Sequence, residues 1–269
     1  MPRTSPRTAA ISLSFIALAA TASFAVRAQP PAHAPAKPPA TSRPAADSPR
    51  VLVFSKTAGF RHDSIPEGIK AITAMGVEHG FAVDATEDAA QFDDAHLARY
   101  RIVIFLNTTG DVLDEKQQQA FEKFIKHGGG FVGVHAATDT EYDWAWYTKL
   151  VGAQFASHPQ IQEATIDVVD RDHASTKLLP AKWTRTDEWY NFKTSPSESA
   201  GGSLRVLATL DESTYEGGSM KASHPVIWCQ EFDGGRAWYT ALGHTTESYA
   251  EKNFLDMLWG GIQWAGQLN

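Results

Sequence analysis

One stretch decides the fold of this chain: residues 128–137, which read GGGFVGVHAA. The three glycines end a helix predicted over Asp114 to His127, because glycine is the usual residue just past a helix. Phe131 to Val134 is then an unbroken apolar strand that ends at His135. Such strands are typical of a parallel sheet covered on both faces.

The residues upstream of this stretch repeat the same alternation of strand and helix. The pattern predicts strands over Val51–Phe54, Phe81–Ala85 and Ile102–Leu106, and a helix over Ile65–His79 with Ser64 as its N-cap. Alternating strands and helices are the sequence form of an α/β fold. We therefore expect a doubly wound, mostly parallel, flavodoxin-like sheet.

The downstream half has a different character, with strands joined by turns. Strands are predicted over Thr165–Val169, Arg205–Leu210, Val226–Phe232 and Arg236–Ala241, and a last helix over Ser248–Ala265. This half is therefore expected to form a β-rich C-terminal extension followed by a terminal helix.

The first 49 residues do not fit this pattern. Residues 1–28 resemble a secretory signal, with Arg3 and Arg7 before an apolar run over residues 9–26 and small residues at the cleavage position. The alternative is an uncleaved N-terminal anchor. Residues 29–49 are a Pro/Ala-rich linker expected to be disordered, and 50–269 form one domain. We expect an exported protein, periplasmic or extracellular, that is not inserted in the membrane after cleavage.

Composition excludes several classes of partner. The net charge of −7 and a pI of about 5.8, with no basic cluster in the domain, argue against nucleic acid. Cys229 is the only cysteine, so no intrachain disulfide can form. The glycines at 128–130 lack the Lys and Ser/Thr of a phosphate-binding loop, so no nucleotide is expected. The oligomeric state does not follow from the sequence.

Candidate functional residues lie just after the predicted strands, where ligands collect in open α/β sheets. His62, His135 and His244 follow three different strands, and His158 and Glu188 are further candidates in loops. Candidate substrate-binding residues at the same positions are Arg61, Asn107, Asp139, Trp189 and Tyr190.

Four segments of the chain resemble the signature segments of the ThuA-like (trehalose utilisation) family. They are residues 59–64, 128–137, 187–190 and 235–244, and the similarity extends over about 50–267. The resemblance implies a class I glutamine amidotransferase-like fold and a small-molecule sugar substrate, in the breakdown of trehalose-type disaccharides through 3-keto sugars. The parent fold has a catalytic cysteine at the turn where this chain has His135, so glutaminase chemistry is not expected.

Three interpretations of the histidines remain open at this point. The first is a divalent metal, zinc or similar, bound by His62, His135 and His244, with His158 or Glu188 as fourth ligand. The second is metal-free acid–base catalysis by Glu188, His135 and His62, with Arg61 at the developing oxyanion. The third is a non-catalytic carbohydrate-binding or interaction domain. An enzyme here would be a hydrolase, lyase or isomerase.

Overall fold

A computed structural model describes residues 48–200, 204–221 and 223–269. The expected signal segment, 1–28, and all but the last two residues of the expected linker, 29–49, lie outside the described residues. No helix in the described part combines the length and the apolar character that a membrane crossing requires.

One large sheet of nine strands organises the domain, in the order β2-β1-β3-β4-β11-β10-β9-β6-β7. The strands are β1 Arg50–Phe54, β2 Ala82–Thr86, β3 Ile102–Leu106, β4 Gly130–Val134, β6 Gln162–Val168, β7 Lys182–Asp187, β9 Arg205–Leu210, β10 Pro225–Phe232 and β11 Gly235–Thr240. Two short strands, β5 Phe155–Ser157 and β8 Asn191–Phe192, pair separately. The first five strands of the order run parallel and the remaining pairings are antiparallel. The predicted α/β fold with a β-rich extension is confirmed.

The helices connect these strands, except the last, which follows β11. They are α1 Ile65–His79, α2 Asp94–Leu97, α3 Glu115–Lys126, α4 Ala145–Val151, α5 Pro196–Ser199 and α6 Lys252–Gly266. At the start of α3, the Asp114 side chain accepts from the backbone of Gln117, whose side chain accepts from the Asp114 backbone. This reciprocal pair satisfies two amides that the first turn leaves free.

The central strands are buried because they are apolar on both faces. Every residue of β3 and β4 is buried, as the unbroken apolar runs predict. Most predicted bounds for β1, β3, β4, α1 and α3 agree with the structure within one residue.

Three local predictions need correction. Ser64 precedes α1 but does not cap it; its hydroxyl donates to the Gly243 carbonyl at 3.2 Å. The last helix begins at Lys252 rather than Ser248, because Thr246–Ala250 form a 3-10 turn. Strand β7 was not predicted: its six residues alternate between exposed and buried, and five of the six side chains are polar or charged.

The end of β7, in the antiparallel half of the sheet, contacts the loop that follows β11, in the parallel half. Asp187, the last residue of β7, accepts hydrogen bonds from the backbone of Gly243 at 2.9 Å and of His244 at 3.2 Å. These residues follow β11, from which three strands separate β7 in the sheet. The loop after β7 is thereby placed beside the loop after β11, and this contact positions the candidate site.

Candidate functional site

Four side chains from four different strand ends converge on one point. His62 follows β1, His135 follows β4, Glu188 follows β7 and His244 follows β11. Each offers one potential ligand atom, and the four atoms all lie within 4.8 Å of one another. Sequence analysis identified all four residues as candidates, and the fold brings them together.

His135 is the most constrained member of the cluster. It is fully buried and adopts a left-handed backbone conformation with φ of 48°. Its Nδ1 donates a hydrogen bond to the Ala241 carbonyl at 2.7 Å. That bond leaves the Nε2 lone pair free, and Nε2 points to the cluster, 3.1 Å from His244 Nδ1 and 3.4 Å from Glu188 Oε2. A histidine held this way is a typical metal ligand.

Glu188 lies among three imidazoles. Its Oε2 is 3.1 Å from His244 Nδ1, and its Oε1 is 3.0 Å from His158 Nδ1. Burial acts to raise the pKa of Glu188, but hydrogen bonds and charges from His135 and His244 outweigh it and lower that pKa. Burial acts to lower the pKa of His244, but the hydrogen bond and charge of Glu188 raise it overall.

His62 completes the cluster from the loop after β1. Its ring centroid is 5.0 Å from those of both His135 and His244. The side chain is buried and its Nδ1 has no hydrogen-bond partner among the described residues. Burial, followed by the charges of His135 and His244, lowers the pKa of His62 to about 2. The imidazole is therefore neutral, which is the form that binds a metal.

These residues fit a divalent transition metal. Ligand atoms about 2.1 Å from a tetrahedral ion lie about 3.4 Å apart, so the observed spacing needs only small side-chain adjustments. Three imidazoles and one carboxylate are a borderline donor set that suits zinc and similar ions. The buried, unpartnered nitrogen of His62 is a polar group that a ligand would satisfy.

His158 lies beside this group rather than in it. Its side chain is 42 % exposed, and its Nδ1 contacts both the Pro159 carbonyl at 2.9 Å and Glu188 Oε1. Both partners are acceptors, so Nδ1 is the donor in these two contacts. His158 contacts the cluster only through Oε1 of Glu188. Of the two candidates for the fourth ligand, Glu188 lies in the four-residue group and His158 does not.

The five candidate substrate-binding residues separate into two sets. Tyr190 lies in the site, with its ring 4.1 Å from that of His135, although it is buried. Asp139 is half-buried; Tyr142 donates to its Oδ1, and the charges of His135 and His158 act on its carboxyl group. Burial, partly offset by Tyr142, raises the pKa of Asp139.

The other three residues are paired with other groups of the protein. Arg61 forms a two-point pair with Glu87 on the surface rather than facing the cluster. Asn107 is fully buried and donates to Ser64 and to the Gly243 carbonyl. Trp189 is buried in the core, where its Nε1 donates to the Gln162 carbonyl at 2.9 Å.

Two functional features were missed from the sequence. Asp187 precedes Glu188 and anchors the site, but nothing in the sequence shows which amides a carboxylate at a strand end will accept from. Phe60, two residues before His62, is exposed while its ring contacts that of His62 at 4.9 Å. The sequence signal for Phe60 was its position between Gly59 and Arg61, in the same loop after β1 that carries His62.

Comparisons with known proteins agree with this fold. The model of the ThuA family, described as trehalose utilisation, matches residues 50–265. A ThuA-like protein from Bacteroides uniformis superposes with a TM-score of 0.69 at 23 % identity, over 83 % of this chain and 94 % of that one. One from Parabacteroides merdae gives 0.66 at 21 %, over 81 % and 90 %.

A more distant similarity is to a β-galactosidase from Bacillus circulans, with a TM-score of 0.52 at 15 % identity, over 83 % of this chain and 32 % of that one. At these identities the solved structures show the fold alone. A search of curated proteins by sequence found no match. Since the family model spans most of the length, the chain belongs to the ThuA family of trehalose-utilisation proteins.

Proposed function

We propose that this chain is a metal-dependent enzyme of disaccharide breakdown, with the metal held by His62, His135, His244 and Glu188. The observation that carries the proposal is the convergence of these four ligand atoms within 4.8 Å. The sugar substrate is inferred from membership of the family, whose description is trehalose utilisation.

The metal is favoured over a metal-free acid–base pair because Glu188 and His135 are buried and already contact other groups of the protein. The side chain of His135 is fully buried and that of Glu188 is 9 % exposed. Both carboxylate oxygens of Glu188 already contact imidazoles. A general acid or base must come within hydrogen-bond distance of the proton it transfers. Glu188 and His135 are therefore better suited to binding an ion than to moving protons.

The accessible polar groups beside the cluster supply the remaining roles. His158, whose side chain is 42 % exposed, offers Nε2 for a hydrogen bond with a substrate hydroxyl. Oδ2 of Asp139 has no hydrogen-bond partner among the described residues, while Tyr142 holds Oδ1. Asp139, whose pKa is raised by burial, is the proton acceptor we assign. A bound divalent metal would supply a Lewis acid able to polarise a carbonyl oxygen.

A 3-keto glycoside is the substrate class that this arrangement suits best. The keto group acidifies the adjacent carbon–hydrogen bond, so Asp139 can remove that proton. The electron pair then forms a carbon–carbon double bond as the neighbouring glycosidic carbon–oxygen bond breaks. The leaving oxygen takes up a proton to give the free sugar and an unsaturated keto sugar. This elimination needs no oxidant or reductant.

Elemental analysis of protein purified without a histidine tag or chelator tests the metal site. We expect close to one equivalent of zinc or a similar ion in the parent and none in the His62→Ala/His135→Ala double variant. His127→Ala, which removes an exposed histidine at the end of α3, is the matched control and should retain the metal. Parent protein without metal after incubation with zinc would contradict the proposal.

Turnover separates an enzyme from a binding domain. The parent should consume 3-keto-trehalose, and Asp139→Asn should lower kcat at least 100-fold while keeping the metal, in line with the contribution of a general base. Sugar affinity without turnover in the parent would instead favour a non-catalytic carbohydrate-binding domain.

We also propose that the chain acts outside the cytoplasm, in the periplasm or the medium. The support is the basic and apolar pattern of residues 1–28. N-terminal sequencing of the protein from a cell fractionation should give a mature start near residue 29; an intact N-terminus would contradict cleavage.

A further inference from the structure

We propose that Phe60 is the aromatic surface that holds a sugar ring beside the histidine cluster, a role that rests on the proposed sugar chemistry. Its position beside His62, its exposure and the restraint of its backbone support this role.

Phe60 combines exposure with contact to the cluster. Its exposed fraction is 66 %, and among the described residues the other exposed large apolar side chains are the aliphatic Ile161, Val169 and Leu178. The Phe60 ring lies 4.9 Å from that of His62, the ligand from the same loop. Phe60 therefore places an exposed aromatic ring on the surface directly beside the buried cluster.

The orientation of the ring leaves room for a ligand. The planes of Phe60 and His62 are 87° apart, so the two rings do not stack. With most of its surface exposed, Phe60 keeps a face free for the carbon–hydrogen groups of a pyranose. The negative face of an aromatic ring attracts such weakly positive groups, and their contact also removes apolar surface from water.

The backbone at Phe60 is held in place despite this exposure. The Thr109 hydroxyl donates to the Phe60 carbonyl at 2.8 Å and accepts from the Gly59 amide at 3.2 Å. The Ala58 amide also donates to the Thr109 carbonyl at 2.7 Å. Thr109 itself is fully buried. These bonds fix the loop before a ligand arrives, which reduces the entropy lost on binding.

Two substitutions at this position test the role by calorimetric titration of the metal-loaded protein with trehalose and, in the Asp139→Asn background that slows turnover, with 3-keto-trehalose. Phe60→Ala should weaken binding roughly 5- to 10-fold, the loss expected for one aromatic contact. Phe60→Trp should bind at least as well as the parent, since it keeps an aromatic face. Leu178→Ala, which removes an exposed side chain elsewhere, is the matched control and should bind like the parent.

Metal content and kinetics separate this inference from the proposed function. Phe60→Ala should keep its metal and raise KM for 3-keto-trehalose with a smaller change in kcat. If the parent binds sugar and Phe60→Ala binds it equally well, the stacking role is wrong while the proposed function stands. If the parent binds neither sugar, the proposed function and this inference both fail.

Discussion

His135 shows how a single residue links the fold to the site. A non-glycine residue with φ near 48° carries about 1–3 kcal/mol of strain and persists only where its surroundings hold it. Here its own carbonyl accepts from Tyr239 Oη at 2.7 Å, and its Nδ1 donates to Ala241. These two bonds hold the sharp turn after β4, and the turn carries the imidazole into the cluster.

Asp187 is the residue on which the geometry of the site depends most. Its buried carboxylate accepts from the amides of Glu188, Gly243 and His244 and forms a 3.0 Å ion pair with Arg185. One side chain thereby fixes the backbone of two cluster residues. A carboxylate that accepts several such bonds is hard to replace, because each donor would be left unsatisfied.

We expect Asp187→Asn to lower the free energy of unfolding by about 3 kcal/mol and to weaken metal binding. The amide loses the charge that pairs with buried Arg185, and its nitrogen cannot accept from the backbone. Urea denaturation checks the stability. Asp143→Asn, at an exposed aspartate, is the control and should change it by less than about 0.5 kcal/mol. Equal stability of the two variants would contradict the anchoring role.

At the scale of elements, α6 packs unusually close to its neighbours. A Cβ at Gly260 would lie 2.3 Å from the Ala174 carbonyl oxygen, and one at Gly261 would lie 2.5 Å from the Trp238 ring of β11. The helix can approach both only because these positions have no side chain. The approach also brings the loop around Ser175 against β11, where Trp238 Nε1 donates to the Ser175 hydroxyl.

Gly260→Ala is therefore expected to destabilise the protein by about 2 kcal/mol, even though alanine favours a helix by about 1 kcal/mol. The obstructing atoms are backbone and cannot move aside as a side chain would. Thermal unfolding measures the effect. Asn253→Ala, at a half-exposed position in the first turn of α6, should leave Tm nearly unchanged, and a rise in Tm for Gly260→Ala would show that the close contact is not maintained.

At the scale of the whole molecule, stability is expected to fall in acid because several histidines are buried. His173 is one of them. Its Nδ1 accepts from the Ser175 amide at 3.2 Å, and its Nε2 has no partner among the described residues. Burial, with a smaller contribution from Arg205 and an opposing one from Asp170, lowers the pKa of His173 to about 4.

This pKa lies below that of an unfolded histidine, near 6.5. Between these values the unfolded chain binds a proton that the folded chain does not, so stability is complete above pH 6.5 and decreases toward pH 4. The contribution of His173 to that decrease is about 3 kcal/mol.

His173→Asn should flatten the pH dependence over this range, because the amide oxygen can still accept from Ser175 but does not titrate. Urea denaturation between pH 4 and 8 on metal-free parent and variant provides the comparison. His224, whose pKa is also lowered, is present in both proteins and cancels. Parallel curves for the two proteins would contradict the assignment.

The sequence by itself determined the parallel half of the fold and the candidates at its strand ends. The apolar runs of β3 and β4, the helix pattern of α1 and the glycines after α3 are local signals, and each predicts its own element. Because parallel strands end at one edge of a sheet, His62 and His135 could be expected close together.

Only the tertiary structure decided how the cluster is completed and which residues stay accessible. Glu188 reaches the histidines because Asp187, at the end of β7, accepts a hydrogen bond from the loop that follows β11. Three strands separate β7 from β11 in the sheet, so no local pattern predicts this contact. The same folding buries Asn107 and Trp189 and leaves Phe60 exposed. Burial depends on which distant segments pack over a residue, and a local pattern of side chains does not contain that information.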